Sequence, residues 1–354
     1  MIIRELSSSL PGRPLSAYLD SRKKTVFFDI ETTGLSWRSS HLYLIGAAFL
    51  RGQQWCLRQW FLEKPQEEVE LLRLFSEFLR NFTEAVHYNG QTFDLPYLSH
   101  KYEFYRMENL LPTLESLDLY RVVRPWQKIL GLPSLKQKDV EQLLCISRED
   151  TRSGGELISC YHSYLQTGSQ TALQLLLLHN RDDVLGLLQL LPLLGFRNLA
   201  ENNWTVENAA YKKGELQLSL SLPHPLPVSV TAVSAPYRLW ANASSALAAA
   251  AAQEGEMKHF FDSYKDYYYL PGEDCAVHKS VGVYVDPAFR RKATARSCYQ
   301  RAAGIFLPQP EPVFQPVFYR DYGEKPAYLQ LREDMLQDGP FLRRYAEAVL
   351  RALL

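Results

Sequence analysis

Thr25-Val26-Phe27-Phe28-Asp29-Ile30-Glu31-Thr32-Thr33-Gly34-Leu35 is the stretch on which the fold turns. Its first six residues are β-branched, aromatic or short, which predicts a buried strand. Asp29 and Glu31 stand two apart, so on a strand their side chains project from one face. Apolar neighbours place that face in a poorly solvated setting, where an unpaired carboxylate is costly. Two carboxylates there repel, and one takes up a proton unless a cation holds both. An oxygen-only donor set suits a hard cation such as Mg²⁺ or Mn²⁺. Taken alone, the pair is equally well two acids at a strand end, exposed or salt-bridged.

Working outward, residues 42–50 and 54–62 read as two more strands, which makes an antiparallel meander of three. Residues 65–81 carry apolar side chains at helical spacing with acids in the first turn. Residues 84–88 form a short predicted strand and 93–107 a helix with Pro96 in its first turn. Further helices are expected over 118–126, 134–145 and 156–165. Residues 171–194 predict a long apolar helix. Strands first, then alternating helix and strand, then helices, describe an α/β domain with a mixed sheet. After Gly195 the texture changes. Strands are expected over 216–222 and 228–233, and a terminal amphipathic helix over 341–354. The alanine run 246–252 favours helix by propensity, or serves as low-complexity filler. The expected division is residues 1–200 and a smaller α+β region, 201–354.

Two more stretches place acids within that order. Asn89-Gly90-Gln91-Thr92-Phe93-Asp94-Leu95-Pro96 runs from a strand end into a helix start. An acid in a first helical turn is favoured by the helix dipole, so Asp94 alone is adequately explained as a cap. His179-Asn180-Arg181-Asp182-Asp183-Val184 interrupts the long apolar helix. Polar residues in the middle of such a helix are informative, and His179 and Asp183, four apart, share a face. Taken alone, a solvated stripe with an Asp–His pair is the favoured account of them.

Taken together, the three stretches resemble the motifs of the DEDD exonucleases, an RNase H-like superfamily. The first resembles the opening motif, the second the NxxxFD motif of B-family polymerase proofreading domains, and the third the last motif. His179 has the histidine of one class at the spacing of the tyrosine class. The His-Asn-Arg-Asp-Asp-Val text resembles the YprB-type ribonuclease H-like branch. The resemblance spans residues 24–195. It implies an RNase H-like mixed sheet flanked by helices. It also implies two divalent ions, Mg²⁺ or Mn²⁺, held by Asp29, Glu31, Asp94 and Asp183, with Asp182 a rival for the last position. His179 is the implied general base. Thr32, Thr33, Gly34 and Leu35 are implied to meet the terminal nucleotide, with Leu35 against a base; a core position is the other reading of Leu35. Asn89 and Phe93 either contact the strand or shape the motif. The implied activity is a 3′–5′ exonuclease on single-stranded DNA or RNA. The alternative is a nucleic-acid-binding or scaffold protein on the same fold with weak or no catalysis.

Composition bounds these expectations. The chain has 354 residues, with 39 basic against 39 acidic side chains. Neither half is a polycation that coats nucleic acid, nor an acidic tail. A hydrophobic fraction of 46% and a charged fraction of 22% exclude wholesale disorder. Five cysteines, scattered and without a CxxC pair, predict reduced thiols. The start, Met1 to Leu6, predicts no signal peptide. Apolar stretches read as too short or interrupted to span a bilayer. A soluble cytoplasmic protein is therefore expected. Between Ala276 and Gly304, Lys279, Arg290, Arg291, Lys292, Arg296 and Arg301 face Asp286 alone among acids, with Tyr284, Phe289 and Tyr299 interleaved. That mixture suits phosphate contact and base stacking, or a solvated face.

Overall fold

A computed structural model describes residues 1–11, 15–150, 152 and 154–354. The chain opens with strands β1 (Ile2–Pro11), β2 (Thr25–Thr32), β3 (Leu42–Arg51) and β4 (Gln54–Phe61), followed by helix α1 (Glu68–Leu79). Strand β5 (Glu84–His87), helix α2 (Asp94–Phe104) and strand β6 (Glu115–Asp118) come next. Helices α3 (Leu119–Val123), α4 (Gln137–Leu143), α5 (Gly154–Thr167), α6 (Gln170–Gln189) and α7 (Leu194–Ala200) complete this part.

The six strands form one mixed sheet in the order β1-β4-β3-β2-β5-β6. β1 to β2 pair antiparallel across that order, while β5 lies parallel to both β2 and β6. The expected meander of three strands is therefore present and is extended by β1. The serines at 7–9 gave β1 no alternating signal; it is an edge strand, where polar residues are tolerated.

Three helix expectations need correction at their edges. Residues 115–118 are a strand, and the helix begins only at Leu119, because Asp118 caps it by accepting a hydrogen bond from Tyr120 N. The helix expected from Ser134 starts at Gln137. The long apolar helix ends at Gln189, and Pro192 sits in a short 3-10 turn before α7.

The core lies between the sheet and its helices. Phe28, Leu44, Trp60, Phe75 and Leu98 on its two sides are all at most 2% exposed. Each such side chain contributes about 1.5–3 kcal/mol by burial. Helix α6 packs across β2, β3 and β4. By length and composition alone the stretch Gln170–Ala200 is long and apolar enough to cross a membrane, but it is interrupted at Leu191–Leu193 and 67% of its apolar window is buried within the protein.

The remaining residues build β7 (Thr205–Lys212), β8 (Glu215–Ser221), β9 (Val230–Ser234), β10 (Tyr237–Asn242), β11 (Ser245–Ala251) and β12 (Gln253–Phe260). They continue with β13 (Tyr267–Leu270), β14 (Cys275–His278), α8 (Lys279–Gly282), β15 (Arg291–Lys292), β16 (Tyr299–Gln309), β17 (Ala327–Leu331) and α9 (Gly339–Leu353). The first five strands form an antiparallel sheet, β7-β8-β11-β10-β9; β12-β16-β17 and β14-β13-β15 are smaller sheets. The alanine run is neither helix nor filler but β11, paired on both edges with β8 and β10. Pairing and burial override alanine's intrinsic preference, and its small side chains let α9 lie close across the sheet. The chain divides into two compact units, Met1–Arg197 with Leu226–Val228, and Asn198–Pro225 with Ser229–Leu354.

Candidate active site

In an open α/β sheet, ligands bind beyond the carboxyl ends of the parallel strands. The acidic residues gather there, at the ends of β2, β5 and β6. Asp29 and Glu31 occupy the end of β2, both half-buried. Asp94 begins α2 and is 7% exposed. Its Oδ1 accepts a hydrogen bond from Ile30 N at 3.3 Å, between the two β2 acids. His179, 8% exposed, and Asp183 come from α6. One donor atom each from Glu31, His179 and Asp183 lies within 4.8 Å of the others.

The close approach of α6 has a specific cause. Asp29 pairs across the sheet with Gly46 of β3. A Cβ at Gly46 would stand 2.0 Å from Asn180 Oδ1 and 2.9 Å from Val184. Only glycine therefore admits α6 at this depth. Asn180, fully buried, uses the space. Its Nδ2 donates to Asp29 at 3.4 Å, and its Oδ1 accepts from Gln59 Nε2 at 3.0 Å.

The electrostatics follow from burial. Asp29 is pushed well above the usual carboxylate range by burial, then by the charges of Asp183, Asp94 and Glu31. Burial raises Glu31 to about 8, with His179 opposing, and raises Asp94 to about 7. Burial alone would lower His179, but its bond to Asp183 and the nearby acids outweigh that and hold it at about 9. Asp183 ends below its ordinary value: burial is outweighed by bonds from His179 and Arg148. The Oε1 of Glu31 is buried without a hydrogen-bond partner. A carboxylate oxygen buried without a hydrogen bond, among acids that cannot all stay ionised, fits a hard divalent cation. Asp29, Glu31 and Asp94 fit it directly, whereas Asp183 is already shared with Arg148 and His179.

Residues 26–194, somewhat under half of the chain, match the family model of the RNase_H superfamily. Those residues form an RNase H-like domain. Its acids Asp29, Glu31, Asp94 and Asp183 stand in the order Asp, Glu, Asp, Asp. No curated protein matches this chain. Among solved structures, the family B DNA polymerase of the archaeon Pyrobaculum calidifontis is similar at TM-score 0.39 and 14% identity, covering 69% of this chain and 35% of that one. A zinc-bound E. coli ExoI–ssDNA complex is similar at TM-score 0.30 and 14% identity, covering 43% and 42%. A structure of exonuclease I is similar at TM-score 0.35 and 14% identity, covering 59% and 54%. The chain thus spans 35% to 54% of the length of these three structures. The fold assignment rests on the strand order and the family match, not on these likenesses.

The RNase H-like domain disposes the remaining motif residues differently. Leu35 is 86% exposed, so the core reading of it is wrong. Its loop is braced: Thr32 Oγ1 and Ser40 Oγ donate to Gly34 O, Thr33 Oγ1 accepts from His41 N, and Lys101 Nζ donates to Ser40 O. Gly34 itself has ordinary backbone, and an added Cβ would meet Ser40 at a tolerable 3.4 Å. Asn89 turns the chain at φ 58°, a left-handed conformation that Asn tolerates. Phe93 packs partly buried, 5.6 Å from the Tyr97 ring. Asp182 faces the backbone of the preceding loop, accepting from Glu149 N at 2.7 Å and Asp150 N at 2.8 Å.

Four participants were not singled out from sequence. Asp150 accepts from His179 Nδ1 at 2.6 Å. Arg148 donates to Asp183 and to Glu141, the latter at 2.8 Å. Gln137 Nε2 donates to the Asp183 carbonyl at 2.9 Å. Asp118, 5% exposed, ends β6 and holds Asn89 N at 2.8 Å. Acid and base interleave over Arg148-Glu149-Asp150, but nothing in that text distinguishes it from a surface loop.

Proposed function

We propose that the chain is a divalent-metal-dependent nuclease, a 3′–5′ exonuclease acting on single-stranded DNA or RNA, of the YprB-type branch. One observation carries the reading: β2, α2 and α6 deliver Asp29, Glu31, Asp94, Asp183 and His179 to one end of the sheet, with Glu31 Oε1 buried there without a hydrogen bond. Asp29, Glu31, Asp94 and Asp183 would hold Mg²⁺ or Mn²⁺. Bound there, such ions polarise a phosphodiester and acidify a water.

The chain's own groups do the rest. With Nδ1 committed to Asp150, His179 exchanges its proton at Nε2, which faces Glu31 at 3.6 Å and Asp183 at 3.0 Å. The surrounding acids keep the imidazole protonated up to about pH 9 in the metal-free protein, and only once it is neutral can Nε2 take a proton from the attacking water as a general base. Leu35 offers an exposed apolar side chain to a terminal base, on a loop whose bracing fixes it beforehand. The product expected is a nucleoside 5′-monophosphate.

The test is hydrolysis of labelled single strands with Mn²⁺, using free, 3′-blocked, 5′-blocked and circular substrates. Wild type should degrade all but the 3′-blocked and circular ones, and Asp29→Ala should fall to background. Equal rates in both proteins overturn the reading; cleavage of circles overturns the exonuclease part. The pairing of Asp183 with Arg148 and His179 favours a second reading, a binding protein with weak catalysis. It requires oligonucleotide binding without metal-dependent turnover.

A further inference from the structure

The basic stretch singled out in the sequence lies in the second unit, and the structure divides it. Arg301 is paired with Glu256 at 3.0 Å and lies 3.6 Å from Asp274, so it is spoken for. Lys279, Arg291 and Lys292 are exposed and form no ion pair among the described residues. They belong to the small sheet β14-β13-β15 and to α8, which joins β14 to the loop before β15.

This lobe has its own interior. Ala276, Ala293 and Cys298 are buried, and Phe261, Tyr267 and Tyr269 pack against them. On the opposite face, Tyr268 pairs with Lys292 and Val277 across its two neighbours. Arg290 lies over the Tyr268 ring at 4.7 Å and donates to Gly282 O at 2.5 Å, which closes the loop. Asp286, the sole acid between Ala276 and Gly304, accepts from Ala288 N at 2.8 Å. The loop is therefore ordered by its own bonds.

What it holds out is apolar. Val281, Val283, Tyr284 and Phe289 are 64%, 53%, 89% and 69% exposed. These four crowd into nine residues although the interior beneath is already filled. Apolar side chains shown together in this way mark an interaction site. Two exposed aromatic side chains in a segment with three cations that form no ion pair among the described residues match a chain of stacked bases on a phosphate backbone.

We infer that the lobe of residues 279–292 is a docking site for single-stranded nucleic acid, with Tyr284 and Phe289 stacking on bases and Lys279, Arg291 and Lys292 meeting phosphates. The inference rests on the nuclease reading only for its choice of nucleic acid as the occupant. Stacking tolerates any base, so the site grips a strand without reading its sequence.

The experiment measures anisotropy of fluorescein-labelled dT20 and U20 in EDTA across a salt series, with the full chain. Two double variants change exposed side chains only: Tyr284→Ala with Phe289→Ala, and Arg291→Glu with Lys292→Glu. The aromatic pair should raise Kd at least about tenfold. The charge pair should weaken binding and flatten the salt slope by about 1.4, at about 0.7 per phosphate contact. A charge-matched control, Lys212→Glu with Lys213→Glu, should bind as wild type does. Unchanged binding in both lobe variants, or equal weakening in the control, overturns the inference. So does lobe-dependent sedimentation with phosphatidylserine vesicles in place of oligonucleotide binding. Mn²⁺-dependent hydrolysis by wild type is scored separately. Turnover with lobe-independent binding sinks this inference alone, and lobe-dependent binding without turnover sinks the nuclease reading alone.

Discussion

His179 sits between two kinds of carboxylate, and the difference assigns their roles. Asp150 is buried, held by His179 Nδ1 at 2.6 Å, and is kept below the usual carboxylate range against its burial by that bond and by Arg152 N. Asp182 in turn fixes the Asp150 backbone. Asp150 therefore acts through the imidazole, as a positioning residue that fixes which nitrogen keeps its hydrogen. Asp150→Asn should lower kcat about 10- to 100-fold, the cost of losing such an outer partner, with KM unchanged. The His179 Hδ1 resonance should shift upfield in the same variant; a purely structural defect would instead raise KM or lower Tm without that signature. His179→Ala removes the base itself and should cost about 100-fold or more in kcat. The motif residues were legible because carboxylates at spacing two on a strand, or inside an apolar helix, need an explanation wherever they occur. Asp150 was not, because its significance exists only once His179, 29 residues later, is folded against it.

At the scale of elements, α6 meets the sheet through one missing side chain. Gly46 lies inside the strand expected over 42–50, and no periodicity marks a glycine whose partner, Asn180, is 134 residues away. The fold makes it the point where α6 reaches β2. A methyl group there cannot fit beside Asn180 Oδ1. Gly46→Ala should destabilise by about 1–3 kcal/mol, the cost of overpacking, and should weaken Mn²⁺ binding by moving His179 and Asp183 away from Glu31. Thermal melting and metal titration check both. Adding Asn180→Ala removes the atom that clashes and should return part of the lost Tm. Strict additivity of the two changes would show that the contact is not the cause. The alanine strand β11 teaches the complementary point. Its composition favoured helix, but burial between β8 and β10 decided otherwise. Propensity was a fair guide to the helices of the RNase H-like domain, where apolar spacing agreed with it.

For the whole molecule, the acidic site is a charge on the fold that varies with pH. Burial raises Glu31 to about 8 and Asp94 to about 7, and holds Asp29 well above its ordinary value. A carboxyl with a raised folded pKa gives its stability in full below its unfolded value and loses it as pH climbs through the folded one. His179, raised to about 9, likewise loses its contribution as pH climbs from about 6.5. Both effects run the same way, so the metal-free protein should lose stability between about pH 4.5 and 9. The slope is about 1.4 kcal/mol per pH unit for each proton by which the states differ. Asp183 and Asp150, both lowered, act oppositely and only in acid, below their ordinary range. A divalent cation replaces the protons that high pH removes. The rise in Tm on adding Mn²⁺ should therefore be small at pH 5 and large at pH 8, and Glu31→Gln should shrink it while raising the metal-free Tm at pH 8. An equal Mn²⁺ response at both pH values, or an undiminished one in Glu31→Gln, would mean that these acids do not hold the ion.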